Sequence, residues 1–174
     1  EKCAGLCEYY AKIGNVLQIE KIITEFKVGD FIEGHQPANI ASKINNEATA
    51  KQYTKGMGLG ANYLGLCHLT EGRYDSAVVY FNKAIKFYGV KNFSKGLCDA
   101  YSNLGICYDY QGNFPASIQN HLKALKIAEV ISDENTVSRA SNNLGTVFYQ
   151  QRNFKMALGY FERSLKIRED KQDI

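Results

Sequence analysis

The sequence predicts an all-α fold, an α-α superhelix assembled from antiparallel helix pairs. Three observations lead there. The chain repeats itself at a fixed interval, apolar residues inside each repeat fall at helical spacing, and a glycine recurs in register in the middle of a helix in each clear repeat. Self-similarity at an interval of this size marks a repeat architecture, in which each unit buries its apolar face only by stacking on its neighbours.

The repeat shows in three strings. NYLGLCHLTEGRYDSAVVYFNKAIKFY begins at Asn62, SNLGICYDYQGNFPASIQNHLKALKIA at Ser102 and NNLGTVFYQQRNFKMALGYFERSLKIR at Asn142. Leu64-Gly65, Leu104-Gly105 and Leu144-Gly145 keep one interval of 40, as do Tyr74, Phe114 and Phe154, and Ile85, Leu125 and Leu165. On this frame the chain reads as a single domain over 1–174, with 1–27 a degenerate repeat, 28–50 an insertion, and 51–90, 91–130 and 131–170 full repeats.

In the opening unit, LCEYYAKIGNVLQIEKIITEF aligns with the later ones when Cys7 takes the small-residue position. Gly14-Asn15 is then the turn, and Ile19, Ile23 and Phe26 form the apolar stripe of its second helix. The surplus chain near Val28–Asn45 contains VGDFIEGHQP, which reads as a loop, and NIASKINN, which reads as a short extra helix. In the repeat over 51–90, Ala77, Phe81, Ala84 and Ile85 fall at i, i+4, i+7 and i+8, one stripe of a helix. In the next, a helix from about Ser94 to Gln111 leads into Gly112-Asn113, residues that tolerate left-handed backbone angles. A second helix follows from about Phe114 to Val130, with Pro115 admissible in its first turn. Ser132 or Asp133 is the expected N-cap of the next helix. Gly65, Gly105 and Gly145 sit mid-helix, where glycine costs roughly 1 kcal/mol against alanine. That cost in register argues for a shared packing need: two helices crossing closer than a side chain allows.

This pattern resembles the tetratricopeptide repeat family. The match runs through the small residues Gly65, Gly105 and Gly145 and the aromatics Tyr108 and Phe148, where His68 departs. It continues through Tyr74, Phe114 and Phe154, then Ala77, Ser117 and Ala157, then Phe81 and Phe161, where His121 departs, and ends on Ala84, Ala124 and Ser164. Ala61, Tyr101 and Ser141 stand where the family usually has tryptophan, and the family's helix-ending proline is missing, so the second helix of each pair is expected to run on. The family period is about 34 residues, so this longer repeat should lengthen both helices. It is similar to the long-repeat subclass found in Pins-type polarity adaptors, kinesin light chains and bacterial signalling proteins. The resemblance implies a right-handed superhelix whose concave groove holds a partner.

Composition and motifs narrow the function classes. A formal net charge of +3, with no run of five basic residues, gives no basis for nucleic-acid binding. No apolar stretch approaches the roughly 20 residues of a membrane span, and no signal-peptide pattern is present, although the sequence opens at Glu1 without a methionine. Cys3, Cys7, Cys67, Cys98 and Cys107 are odd in number with helical neighbours, which points to free buried thiols in a reducing, cytoplasmic setting. Cys3 and Cys7 lie one turn apart, but no histidine or second cysteine pair completes a metal site, and His35, His68 and His121 have no evident partners. GMGLGANYLG lacks the lysine and serine or threonine of a phosphate loop and reads as a helix. No catalytic triad shows helical spacing, and Asp99 and Asp109 are not adjacent on a helix. No enzyme activity, metal or cofactor is therefore expected.

The resemblance implies where a partner binds. Asn62, Asn103, Asn142 and Asn143 lie on first helices just before the small residue, on the side that lines the groove in the family. An amide supplies both a donor and an acceptor to an extended backbone; the alternative is that these amides bond neighbouring helices. By the same alignment Leu59, Tyr63, Asp99, Ser102, Ile106, Arg139, Thr146 and Tyr149 line the groove. With Arg139 as its main cation, the groove lacks the charge set of the family's carboxylate clamp. Two roles are expected from this: an adaptor binding a protein or peptide, or the sensory or regulatory segment of a larger signalling protein such as a histidine kinase, nucleotide cyclase or peptide-responsive regulator. The last helix, near Phe154–Glu169, carries Phe161, Leu165 and Ile167 with nothing following to cover them, so either a further repeat or a homodimer contact is expected there.

Overall fold

A computed structural model describes residues 54–90 and 93–171. The degenerate repeat over 1–27, the insertion over 28–50, Cys3, Cys7 and His35 lie outside the described residues. Among the described residues there are helices and no strand: α1 (Thr54–Thr70), α2 (Tyr74–Val90), α3 (Ser94–Tyr110), α4 (Phe114–Val130), α5 (Glu134–Gln150) and α6 (Phe154–Asp170). The fold is all-α, a solenoid type built of helix pairs. The helices form two compact units parted between Phe93 and Ser94.

Each helix has 17 residues. With three-residue links, this accounts for the repeat interval. Within a pair, Gly112 takes φ 71° after α3, and Asn113 then caps α4, its side-chain oxygen accepting from Ala116 N at 3.2 Å. Asp133 caps α5 through Thr136 N at 3.1 Å, and Asn153 caps α6 through Met156 N at 3.3 Å. Of the two expected caps for α5, Asp133 takes the role, because Ser132 is spent on the turn at φ 55°. The second helix of the middle repeat has the bounds the sequence placed on it, without a proline to end it. α4 stops at Val130, where Ile131 N and Ser132 N turn back onto the last carbonyls of the helix.

The register of each pair is antiparallel. A Cβ added at Gly58 would meet the ring of Tyr88, and one added at Gly65 would lie 2.6 Å from Phe81 Cε1, so moving toward the N-terminus of α1 moves toward the C-terminus of α2. The same approach recurs between Gly105 and His121 and between Gly145 and Phe161, again at 2.6 Å. A Cβ at that distance would force the facing ring to move, so the close crossing is fitted to glycine. In the second unit, α4 and α5 pack together, and Cys98, Leu125, Ala128, Val137, Ala140 and Leu144 form one buried cluster across the two pairs.

Candidate functional site on the polar face of α3 and α5

The 40-residue repeat sets α5 beside α3 in parallel, so residues 40 or 41 apart become neighbours. Three polar contacts bridge the helices in this way. Arg139 donates to Asp99 Oδ1 at 2.5 Å, Asn143 Nδ2 to Ser102 Oγ at 3.4 Å, and Gln150 Nε2 to Asp109 Oδ2 at 3.4 Å. They run from the N-terminal end of the two helices to the C-terminal end. The structure therefore brings Asp99, Ser102, Arg139 and Asn143 into direct contact. Asn103 and Asn142 are half-buried on the same helices, and Thr146 donates to the carbonyl of Asn142 at 3.1 Å. Tyr149 stands exposed at the end of the row, edge-on to Phe154 at a centroid distance of 5.6 Å. Asn62, which is buried, and Tyr63, which is half-buried, belong to α1 in the other unit.

Some details differ from what the sequence suggested. Arg139 is matched by Asp99, with both side chains more than a third exposed, so the pair is worth at most about 1 kcal/mol and parts readily for a ligand. Ser102 is buried under its partner Asn143. His68, for which the spacing offered no partner, accepts from Arg73 Nε at 3.0 Å and stacks on Tyr80, and burial followed by the charge of Arg73 lowers its pKa. Sequence reasoning left out Gln150 and the role of Asp109, whose Oδ1 is buried without a partner and whose carboxyl is pushed up by burial. The signal for both was the same offset that joins Asp99 to Arg139.

Burial pushes the Cys98 thiol up to about 11 and the Cys107 thiol up to about 12, so both stay protonated and poorly nucleophilic near neutral pH. No group of three histidine, cysteine or carboxylate side chains among the described residues could hold a metal ion. No described helix is long and apolar enough to cross a membrane.

Helix pairs joined by glycine–ring crossings and repeated at one interval define a helical repeat protein. Tetratricopeptide repeat models match residues 63–89 and 96–170, together more than half of the chain, and the chain belongs to the tetratricopeptide repeat family. No curated protein matches the sequence significantly. Among solved structures, MamA is similar at 20% identity with a TM-score of 0.63, over 94% of this chain and 84% of that one. The apo form of RapI aligns with a TM-score of 0.67 and 16% identity, over 96% of this chain and 69% of that one. BtubC (BKLC) from P. vanneervenii gives a TM-score of 0.68 at 16% identity, over 99% and 80%. At these identities the likeness is one of fold. Family membership makes the chain a protein-interaction module in general terms.

Proposed function

We propose that the chain holds a peptide or protein segment in a groove along the face shared by α3 and α5. The observation that supports this most is the row of cross-helix polar contacts from Asp99–Arg139 to Asp109–Gln150, ending on exposed Tyr149. A row of amides and hydroxyls can exchange partners with an extended backbone at little cost, because each internal hydrogen bond that opens is replaced by one to the ligand. Tyr149 adds a large, rigid contact area at the end of that row. In this reading Asn103, Asn142 and Asn143 address the ligand backbone, and Arg139 exchanges Asp99 for an acidic group. Asn62 and Tyr63 hold the equivalent positions in the first repeat and take the same role there. The free, buried cysteines Cys67, Cys98 and Cys107 suit a reducing, cytoplasmic setting.

The test uses a peptide selected against the protein from a random display library and titrated calorimetrically. Asn142→Ala and Tyr149→Ala should each weaken binding by about 5- to 150-fold. Lys126→Ala, on the exposed side of α4, should leave it unchanged. Loss of binding through α4 substitutions with the α5 variants unaffected would move the site off this face.

A further inference from the structure

The three repeats treat one crossing differently. Where the C-terminal end of the second helix meets the first, the equivalent pairs are Gly58 with Tyr88, Cys98 with Ala128, and Ser138 with Arg168. In the first, the Tyr88 ring lies over the glycine and fills the space. In the second, Cys98 and Ala128 join the buried cluster with Val137 and Ala140 of α5, and the Cys98 thiol donates to Ala124 O at 3.6 Å. In the third the same backbone frame carries polar groups. The Ser138 hydroxyl reaches Ser164 O at 3.2 Å and Ser164 Oγ at 3.0 Å, as Cys98 reaches Ala124, and Arg168 Nε donates to Ser138 Oγ at 3.4 Å. A pocket of about 300 Å³ opens there, lined by Asn135, Ser138, Arg139, Ile167, Arg168 and Lys171.

We propose that this pocket between α5 and α6 binds a carboxylate, with the Arg168 guanidinium as its principal donor and Ser138 fixing the orientation of that guanidinium. The charges around the pocket select the ligand. Arg139 is matched by Asp99 at 2.5 Å, and Lys171 by Glu134 at 3.3 Å and by the Asn135 side chain at 2.8 Å. Arg168 has no carboxylate within ion-pair distance among the described residues; its one hydrogen bond to another side chain goes to Ser138. Among the described residues the Arg168 guanidinium is therefore without a carboxylate partner, and its planar paired donors match the two oxygens of one. Ser138 is nine-tenths or more buried and engages the Nε edge of the guanidinium, which leaves the planar terminal nitrogens to grip two oxygens side by side. Lys171 and Asn135 stand at the rim as secondary donors. The site adjoins the α3–α5 face and shares Arg139 with it as a lining residue, but Asp99 holds that guanidinium and the Arg168 site does not depend on the groove reading.

Titration of the whole chain with N-acetylglutamate amide, N-acetylalanine and inorganic phosphate, followed by two-dimensional NMR of backbone amides and arginine Nε–H groups, tests this. The first probe presents a side-chain carboxylate and the second a terminal one. Saturable shifts confined to Asn135, Ser138, Arg168 and Lys171 are expected for at least one carboxylate, which then names the source. Arg168→Ala should weaken that binding by about tenfold or more, Arg168→Lys should restore it only partly because an ammonium lacks the paired donors, and Arg163→Ala should change it less than about twofold. Thermal melts of the variants verify folding. The proposal is overturned by linear, unsaturated shifts spread over all basic residues, by equal loss in Arg163→Ala and Arg168→Ala, or by phosphate saturating the same residues more tightly than both carboxylates.

Discussion

Gly105 and His121 show how one residue constrains another. His121 takes the place that Phe81 and Phe161 hold in the flanking repeats, and it lies 1% exposed beneath Gly105 with Nδ1 unpartnered. A Cβ at Gly105 would sit 2.6 Å from a ring that the core holds in place. The clash outweighs the roughly 1 kcal/mol of helix propensity that alanine brings, so Gly105→Ala should destabilise by about 1–3 kcal/mol in chemical denaturation, and Gly105→Leu by more. The opposite sign for alanine would mean that the glycine is merely tolerated. Burial lowers the pKa of His121 to about 4 from an ordinary 6.5. A depressed folded-state pKa on a base means that the unfolded chain binds the proton first. Stability from this residue is therefore full above about pH 6.5 and falls as the pH drops toward 4, by on the order of 3 kcal/mol. His121→Phe should remove that acid limb and raise stability at neutral pH, since it also removes an unpaired buried nitrogen. Denaturation curves of both proteins at pH 7.5 and pH 5 measure the difference, and parallel losses on acidification would contradict it.

At the scale of the element, repeat position decides what a side chain contributes. Leu125 of α4 is 5% exposed against α5, whereas its counterpart Leu165 on α6 is 50% exposed. Leu125→Ala should accordingly cost about 2–5 kcal/mol, and Leu165→Ala less than about 1 kcal/mol, as read from paired urea titrations. Equal costs would mean that α6 is covered in solution, as self-association would do. The links carry a comparable contrast. Arg152 occupies φ 59° where the two preceding repeats have Gly72 at φ 72° and Gly112 at φ 71°. A left-handed conformation costs a non-glycine residue roughly 1–2 kcal/mol, partly offset by the greater unfolded-state freedom of glycine. Arg152→Gly should raise the melting temperature by a small amount, and a drop would show that the arginine side chain compensates. Helix positions, turns and glycine crossings were legible in the sequence because they recur at one interval, and each follows from local backbone or packing rules. The stop of α4 at Val130 was legible too, but not how it is made: Ser132 takes the left-handed turn and frees Asp133 to cap.

At the scale of the whole molecule, the candidate site was legible as a set of positions and not as a set of contacts. Asp99, Ser102, Arg139 and Asn143 stood out as groove-lining residues, but their mutual bonding depends on two helices 40 residues apart lying side by side, which residue types alone do not reveal. The Ser138–Arg168 pocket was invisible for the converse reason: its residues depart from the repeat, and a search for recurrence discards departures. These contacts also revise what the groove side chains do without a ligand. Asn143 holds Ser102, so Asn143→Ala should cost both affinity and up to about 1 kcal/mol of stability, and Tyr149→Ala, which opens only the exposed edge contact with Phe154, should cost affinity and a similar or smaller amount of stability. The central claim is that partners bind along α3 and α5. Hydrogen exchange of side-chain and backbone amides, with and without a saturating selected peptide, tests it most directly. The account predicts slowed exchange at Asn103, Asn142, Asn143 and Gln150, with α4 unchanged; slowing confined to α4 or α6 would contradict it.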